Sequence, residues 1–295
     1  MSDGLAWNRK GHRIMKFTKM HGCGNDYIFF NCINKEIENP SELSKKLSDR
    51  HFGIGGDGIV LICSSKVADA KMRMFNCDGS EGKMCGNAIR CVGKYLSDNN
   101  IVNSNCITIE TLSGIKKLEL IKENDKVIAV KVDMGAAILE PEKIPVIIKD
   151  KNDMQPVIAY PILVDNKEYR MTCISMGNPH CVLFCDDIDS LELSKIGPLF
   201  ENNEIFPDKV NTEFVKVINK ETLKMRVWER GSGETLACGT GASAAVVAAV
   251  LNQFCEKGKD ITVQLVGGNL TICYTNNTVY MTGNCIVSFE GIVTL

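Results

Sequence analysis

Apolar positions along the chain fall into short runs separated by turn residues, and most of these runs have the two-residue alternation or brief apolar core of a β-strand. Strands are predicted at 16–20, 27–31, 58–62 and 71–75, then at 106–111, 115–121 and 127–133. Two stretches have helical character between them. One is 41–50, with Pro40 and Ser41 as its start signal; the other is 86–97. The stretch 135–153 carries Pro141, Pro145 and several charges, which marks a junction. After it the order recurs. Strands are predicted at 160–164, 168–174 and 181–184, a helix at 190–201, strands at 212–217 and 223–228, a helix at 240–252, and further strands from 261 onward. Residues 1–14 precede the first strand pattern and read as an extension: a tag, an upstream start or a disordered arm.

The recurrence has a register. Met72-Arg73 and Met225-Arg226, Glu81 and Glu234, and Cys85-Gly86 and Cys238-Gly239 all share one offset, 238 − 85 = 153. Gly24-Asn25 meets Gly177-Asn178 at the same distance, as do Leu112 with Leu265 and Gly114 with Gly267. One offset without gaps from 24 to 114 indicates two α/β halves from a duplication, each mostly strands around one principal helix. The second helix, 240–251, is small and apolar on every face, which demands burial, and a curved sheet wrapped around it meets that demand. Its first-half counterpart fits less well at Arg90 and Lys94.

Composition changes this picture little. The 295 residues are 44% hydrophobic and 24% charged, with a net charge of −2. Neither a basic run for nucleic acid nor an apolar stretch of the ~18 residues that span a bilayer is present. The N-terminus lacks the apolar core of a secretory signal, so a cytoplasmic protein is expected. Most of the fourteen cysteines are then reduced thiols, many of them small core hydrophobes such as Cys63, Cys106, Cys181 and Cys273. With no CxxC pair and four histidines, structural zinc is not expected.

Cys85 and Cys238 both stand where a helix begins. Backbone N–H groups there have no helical acceptor, and the helix end carries partial positive charge. A carboxylate can therefore dock on Gly86-Asn87 and Gly239-Thr240, and a thiol at that end is expected to ionise more easily. If the two helix ends are opposed, a bound carboxylate places its α-carbon between two sulfurs. One thiolate then removes the α-proton while the other thiol protonates the opposite face, inverting the centre, with the carboxylate oxygens taking up charge. Gly22-Cys23-Gly24-Asn25-Asp26 and Gly177-Asn178-Pro179-His180 are turn-like and equivalent in the repeat. Asn211, Glu229 and Arg230 add groups suited to an ammonium and a second carboxylate. His180 is assigned an orienting role at most.

At these residues the sequence resembles the diaminopimelate epimerases. The resemblance covers nearly all of 15–295 and rests on 16–29 (KFTKMHGCGNDYIF), 75–91 (FNCDGSEGKMCGNAIRC), 177–182 (GNPHCV) and 229–243 (ERGSGETLACGTGAS). It implies an α/β (α+β) fold of two pseudo-symmetric domains, each a mixed β-sheet rolled into a barrel around a central helix. The first domain would be 15–133, completed by about 281–295, and the second 134–280. It implies Cys85 and Cys238 as acid/base pair, with Gly86, Asn87, Gly239 and Thr240 on the reacting carboxylate. Asn25, Asn76, Asn178, Asn211, Glu229 and Arg230 would recognise the remaining groups. It further implies conversion of LL- to meso-diaminopimelate for lysine and peptidoglycan precursors, without pyridoxal phosphate, other cofactor or metal, by a homodimer. Many bacterial members carry Gln where this chain has Gly58, which offers no side-chain contact.

Two other readings stay open at this level. A proline or hydroxyproline racemase also uses two cysteines, although Glu229-Arg230 would then have no distal group to bind. A thiol redox or metal-binding protein would use the same cysteines, and nothing else in the chain supports it.

Overall fold

The protein was analysed as a computed structural model that describes residues 6–7, 13–148 and 155–294. The chain divides into two units, Met1–Val130 with Asn284–Leu295, and Lys131–Gly283. In the first unit, strand Arg13–Gly22 turns into Asn25–Cys32, which lies parallel to Gly58–Cys63; that strand is antiparallel to Ala70–Asn76. Ala70–Asn76 is parallel to Cys106–Thr111, which forms a hairpin with Gly114–Glu123. The chain's last strand, Ile286–Thr294, pairs antiparallel with Arg13–Gly22.

The second unit repeats this order. Lys167–Ser175 pairs antiparallel with Pro179–Phe184, which runs parallel to Asn211–Asn219. Asn211–Asn219 is antiparallel to Thr222–Glu229, which is parallel to Asp260–Leu265, itself in a hairpin with Gly268–Tyr274. Both parallel pairs thus recur at the same points of the order. Each needs a crossover. In both units the second is made by a 13-residue helix: α2, Gly86–Asp98, and α4, Gly239–Leu251. The first is made by a connection that includes α1, Pro40–Ser48, and α3, Leu193–Glu201, respectively.

Helix α4 is buried over Gly239 and from Gly241 to Ala249. It packs against six strands, from Lys167–Ser175 round to Gly268–Tyr274. Ala, Gly and Ser on every face let the sheet approach it closely, which is the reason its apolar character has no stripe. Arg90, the misfit in α2, is wholly buried. Its Nη2 donates to Asn87 Oδ1 (2.9 Å) and its Nη1 to Gly86 O (3.1 Å), while Nε donates to Asn284 O (3.2 Å). A buried guanidinium is tolerated where its donors are satisfied in this way. Lys94 is half-buried and pairs with Asp98 at 2.7 Å.

Several expectations shift in detail. The first long strand begins at Arg13, not Lys16, and Ala6–Trp7 pairs with its start; of the supposed extension at 1–14, residues 1–5 and 8–12 lie outside the described residues. Helix α1 is entered from Asn39, in the left-handed conformation, with Pro40 at its first position, so Ser41 is not its cap. It stops at Ser48 because the Asp49 carboxylate takes the N–H groups of His51 and Phe52, both at 2.7 Å. Helix α3 starts later than 190, since Asp187 holds the N–H groups of Asp189 and Ser190 in a turn.

The repeat register is also not a single offset. Ile59 faces Phe75 as Thr212 faces Trp228, which is 153 throughout. Beyond the central helices the ladders give 154: Ala70 faces Ile109 as Leu223 faces Val263, and 263 − 109 = 154. The turn closed by Thr111 and Gly114 corresponds to the one closed by Leu265 and Gly268. The coincidences of Leu112 with Leu265 and Gly114 with Gly267 are therefore fortuitous. One extra residue between α4 and the next strand causes the slip.

Among the described residues no helix is long and apolar enough to cross a membrane. Because α4 is enclosed at Ala245, Ala245→Leu is expected to overpack the second unit and lower stability by about 1–3 kcal/mol. Denaturant titration of the variant against the parent measures this.

Candidate active site

Both cysteines are N-caps. Cys85 has an extended backbone (φ −132°, ψ 122°) immediately before α2, and Cys238 (φ −120°, ψ 113°) does the same before α4. Each first turn therefore leaves N–H groups without helical acceptors, and in α4 that of Gly241 meets the cysteine sulfur.

In the first unit, Cys85 Sγ donates to Asn25 Oδ1 at 3.3 Å, and Asn87 Nδ2 reaches the same oxygen at 3.4 Å. The other end of the Asn25 amide is pinned: Nδ2 donates to Asp57 Oδ2 at 2.6 Å. Asp57 also accepts the Asp26 N–H at 3.0 Å and Arg50 Nη2 at 2.9 Å. Tyr27 is buried beside this group, and burial, then Cys85 and Asp57, push its hydroxyl well above the usual range. Asn76 Nδ2 donates within its own turn to Ser80 Oγ at 3.0 Å. Gly58 has no room for a side chain, because a Cβ there would lie 2.0 Å from the Phe75 carbonyl oxygen.

In the second unit, Cys238 Sγ accepts from Gly241 N at 3.4 Å and lies 3.4 Å from Thr240 Oγ1. Asn178 Nδ2 donates to Thr240 Oγ1 at 3.3 Å, and Asn178 Oδ1 is 3.0 Å from His180 Nε2. His180 Nδ1 is 2.7 Å from Glu213 Oε1. Gly241 must be glycine, as a Cβ there would stand 2.6 Å from that same Glu213 oxygen. Asn211 links two loops, donating to Pro179 O (2.7 Å) and accepting the Arg230 N–H (2.9 Å). The Arg230 side chain is exposed and donates through Nη1 to Asp208 O. Thr235 Oγ1 donates to Glu229 Oε1 at 2.5 Å. Glu201 holds the loop that carries Glu229 and Arg230, accepting from Trp228 Nε1 (2.7 Å) and Gly231 N (3.0 Å).

The helix start does ease ionisation of Cys238 through the Gly241 N–H, but larger effects outweigh it. Burial, then the carboxylates of Glu229 and Glu213, push its thiol well above the usual range, against the weaker pull of Thr240 and the Gly241 N–H. The helix end is a half-charge at most, whereas two carboxylates and the loss of water oppose it.

Asp57, Tyr27, Arg90, Thr235 and Glu213 were not singled out from the sequence. Glu213 left one trace, a lone acid in the apolar run Phe214-Val215 after Asn211 and Thr212. Arg90 showed only as a polar misfit in an apolar helix, and Asp57 and Tyr27 left no trace, because their partners are distant in the chain. Among the described residues no group of three or more His, Cys, Asp or Glu is disposed to hold a metal ion.

Comparison with known proteins agrees with this geometry. Among solved structures, a probable proline racemase from Agrobacterium radiobacter superposes with a TM-score of 0.69 at 13% identity, covering 95% of this chain and 93% of the other. A hydroxyproline epimerase from Agrobacterium vitis gives 0.66 at 14%, covering 98% and 94%. These likenesses define the class, the duplicated mixed-sheet fold around central helices. A profile of the family described as diaminopimelate epimerase matches residues 17–140 and 172–287. The diaminopimelate epimerase of Acetivibrio thermocellus is 57% identical over 95% of this chain and 99% of its own length. That of Methanococcus maripaludis is 57% identical over 94% and 99%. The chain belongs to the diaminopimelate epimerase family and is an isomerase.

Glu229 is one of the two carboxylates that hold the Cys238 thiol up. Glu229→Gln is therefore expected to shift the pH midpoint of Cys238 alkylation downward, read by mass spectrometry of iodoacetamide-treated protein across pH. An unchanged midpoint would show that Glu229 does not hold the thiol up.

Proposed function

We propose that the protein interconverts LL- and meso-2,6-diaminopimelate by a cofactor-independent, two-base reaction, supplying lysine and peptidoglycan precursors in the cytoplasm. The observation that carries this reading is the pair of cysteines at equivalent helix starts, each wired to an equivalent asparagine, Asn25 or Asn178. One sulfur, as thiolate, removes the α-proton; the other, as thiol, delivers a proton to the opposite face. Charge arriving on the α-carboxylate is met by the first-turn N–H groups of Gly86-Asn87 and Gly239-Thr240. Asn25, Asn76, Asn178, Asn211, Glu229 and Arg230 recognise the remaining groups. Glu229 suits an ammonium and Arg230 a second carboxylate, and a proline-type substrate has no such distal end. The likeness to proline racemase and hydroxyproline epimerase structures, at 13% and 14% identity, supports a shared fold and not a shared substrate.

The raised thiol of Cys238 suits the acid of this scheme. An ammonium bound at Glu229 would neutralise one of the two carboxylates that hold that thiol up, so that substrate itself eases the proton transfer.

Incubation with LL-diaminopimelate in deuterated water is expected to exchange the α-hydrogen, while proline in parallel exchanges nothing; the reverse pattern overturns the assignment. Cys85→Ala and Cys238→Ala are each expected to lower epimerisation by about 10²–10⁴-fold. Full activity in either would sink the two-base scheme.

A homodimer is proposed on the last strand, which exposes Ile286, Val287, Phe289 and Ile292 by 43, 40, 49 and 65%. Four exposed apolar residues on one strand are a partner surface in want of cover. Ile292→Glu with Val287→Glu should yield a monomer by sedimentation if that strand forms the interface.

A further inference from the structure

The two halves are wired to their cysteines with opposite polarity. Asn25 and Asn178 are equivalent in the repeat (178 − 25 = 153). Asn25 turns its carbonyl oxygen toward its cysteine, accepting from Cys85 Sγ at 3.3 Å. Asn178 turns its NH2 group that way, donating to Thr240 Oγ1, which lies 3.4 Å from Cys238 Sγ. The residues that hold each amide differ between the halves. Asp57 Oδ2, a carboxylate oxygen that accepts only, takes Asn25 Nδ2 at 2.6 Å, and Val210 occupies the equivalent place. In the second half His180 and Glu213 stand where the first half has Tyr27 and Val60.

His180 and Glu213 are both fully buried, and Glu213 Oε2 has no partner. A net charge in such a place is strongly disfavoured. A neutral pair with the acid proton on Oε2 and Nδ1–H donating to Oε1 would bury an O–H that has no acceptor. Two neutral forms remain: a Glu213 protonated on Oε1 and donating to bare Nδ1, or a Glu213 carboxylate accepting from a doubly protonated ring. In both, Nε2 carries hydrogen. It must then donate to Asn178 Oδ1, which directs the Asn178 NH2 to Thr240. The Thr240 oxygen, accepting from Asn178, has its own hydrogen left for Cys238. Burial pushes the Glu213 carboxyl up, in keeping with a pair that stays neutral.

We infer that Glu213 is a positioning residue: through the His180 tautomer and the Asn178 amide it aims hydrogen-bond donors at Cys238, while Asp57 aims an acceptor at Cys85. The inference rests on the two-base reading and adds to it a cause for unlike sulfurs. Cys85, when it carries a proton, donates to an acceptor, whereas negative charge developing on Cys238 as it gives up its proton meets the Thr240 hydroxyl and the Gly241 N–H.

The test compares Glu213→Gln with Glu213→Val. Glutamine can still donate to Nδ1, leaving its oxygen at the unpartnered site, and an unsatisfied carbonyl is tolerated better than an unsatisfied N–H. Valine copies the other half and frees the tautomer. Glu213→Val should lower kcat by about 10–100-fold, the scale of misaligning a reacting group, with KM nearly unchanged. Glu213→Gln should restore most of kcat. Nitrogen-15 NMR of the histidines reads the tautomer independently of turnover. His180 Nε2 should be protonated in the parent and Glu213→Gln proteins, and this readout stands even if Glu213→Val fails to fold. A bare Nε2 in the parent, or equal kcat in parent and a folded Glu213→Val, overturns the inference. A parent that exchanges no diaminopimelate hydrogen, yet shows protonated Nε2, would instead count against the proposed reaction alone.

Discussion

Each half of this protein depends on a helix that begins inside it. A buried helix start leaves N–H groups that secondary structure cannot satisfy. In a core such groups would be a defect; beside a thiol they are donors suited to the carboxylate of the proposed substrate. Gly86 and Asn87, like Gly239, are buried at that start, and the cysteine before each has the extended backbone of a cap. The mixed sheet follows from the same requirement. Strands on either side of α2 and α4 run parallel, so the chain must cross the sheet by a helix, and the crossover point is where the cysteine stands.

The second constraint is electrostatic. A helix end alone does not ionise Cys238, because burial and two carboxylates act against it. In the proposed reaction, ionisation is left to the substrate. The same carboxylates serve other ends: Glu229 leads into the loop held by Thr235 and Glu201, and Glu213 forms the floor under α4 at Gly241. Duplicated halves thus share a backbone device and differ in the charges placed around it.

Much of this was legible beforehand. The α4 sequence, with no polar face, required enclosure, and six strands enclose it. The 153-residue offset located Cys85, Cys238, Asn25 and Asn178, because short motifs survive as contiguous residues. Arg90 was read as a misfit, since periodicity records where a side chain points and not what awaits it there. Its partners Gly86 and Asn87 are one turn away, but Asn284 is 194 residues distant. The offset beyond the helices was misread for a related reason: Leu112 and Gly114 match by composition, while ladder pairing is what defines register.

The sequence by itself determined the duplicated elements, the two helix-start cysteines and the family to which they belong. These depend on local pattern and on runs of adjacent residues. Only the tertiary structure decided the state of the sulfurs. Asp57 reaches Asn25 across 32 residues and Glu213 reaches His180 across 33. Whether a buried carboxylate is charged, which way an amide is turned, and how hard a thiol holds its proton are set by desolvation and by neighbours in space. Those neighbours are written nowhere near the cysteines they govern.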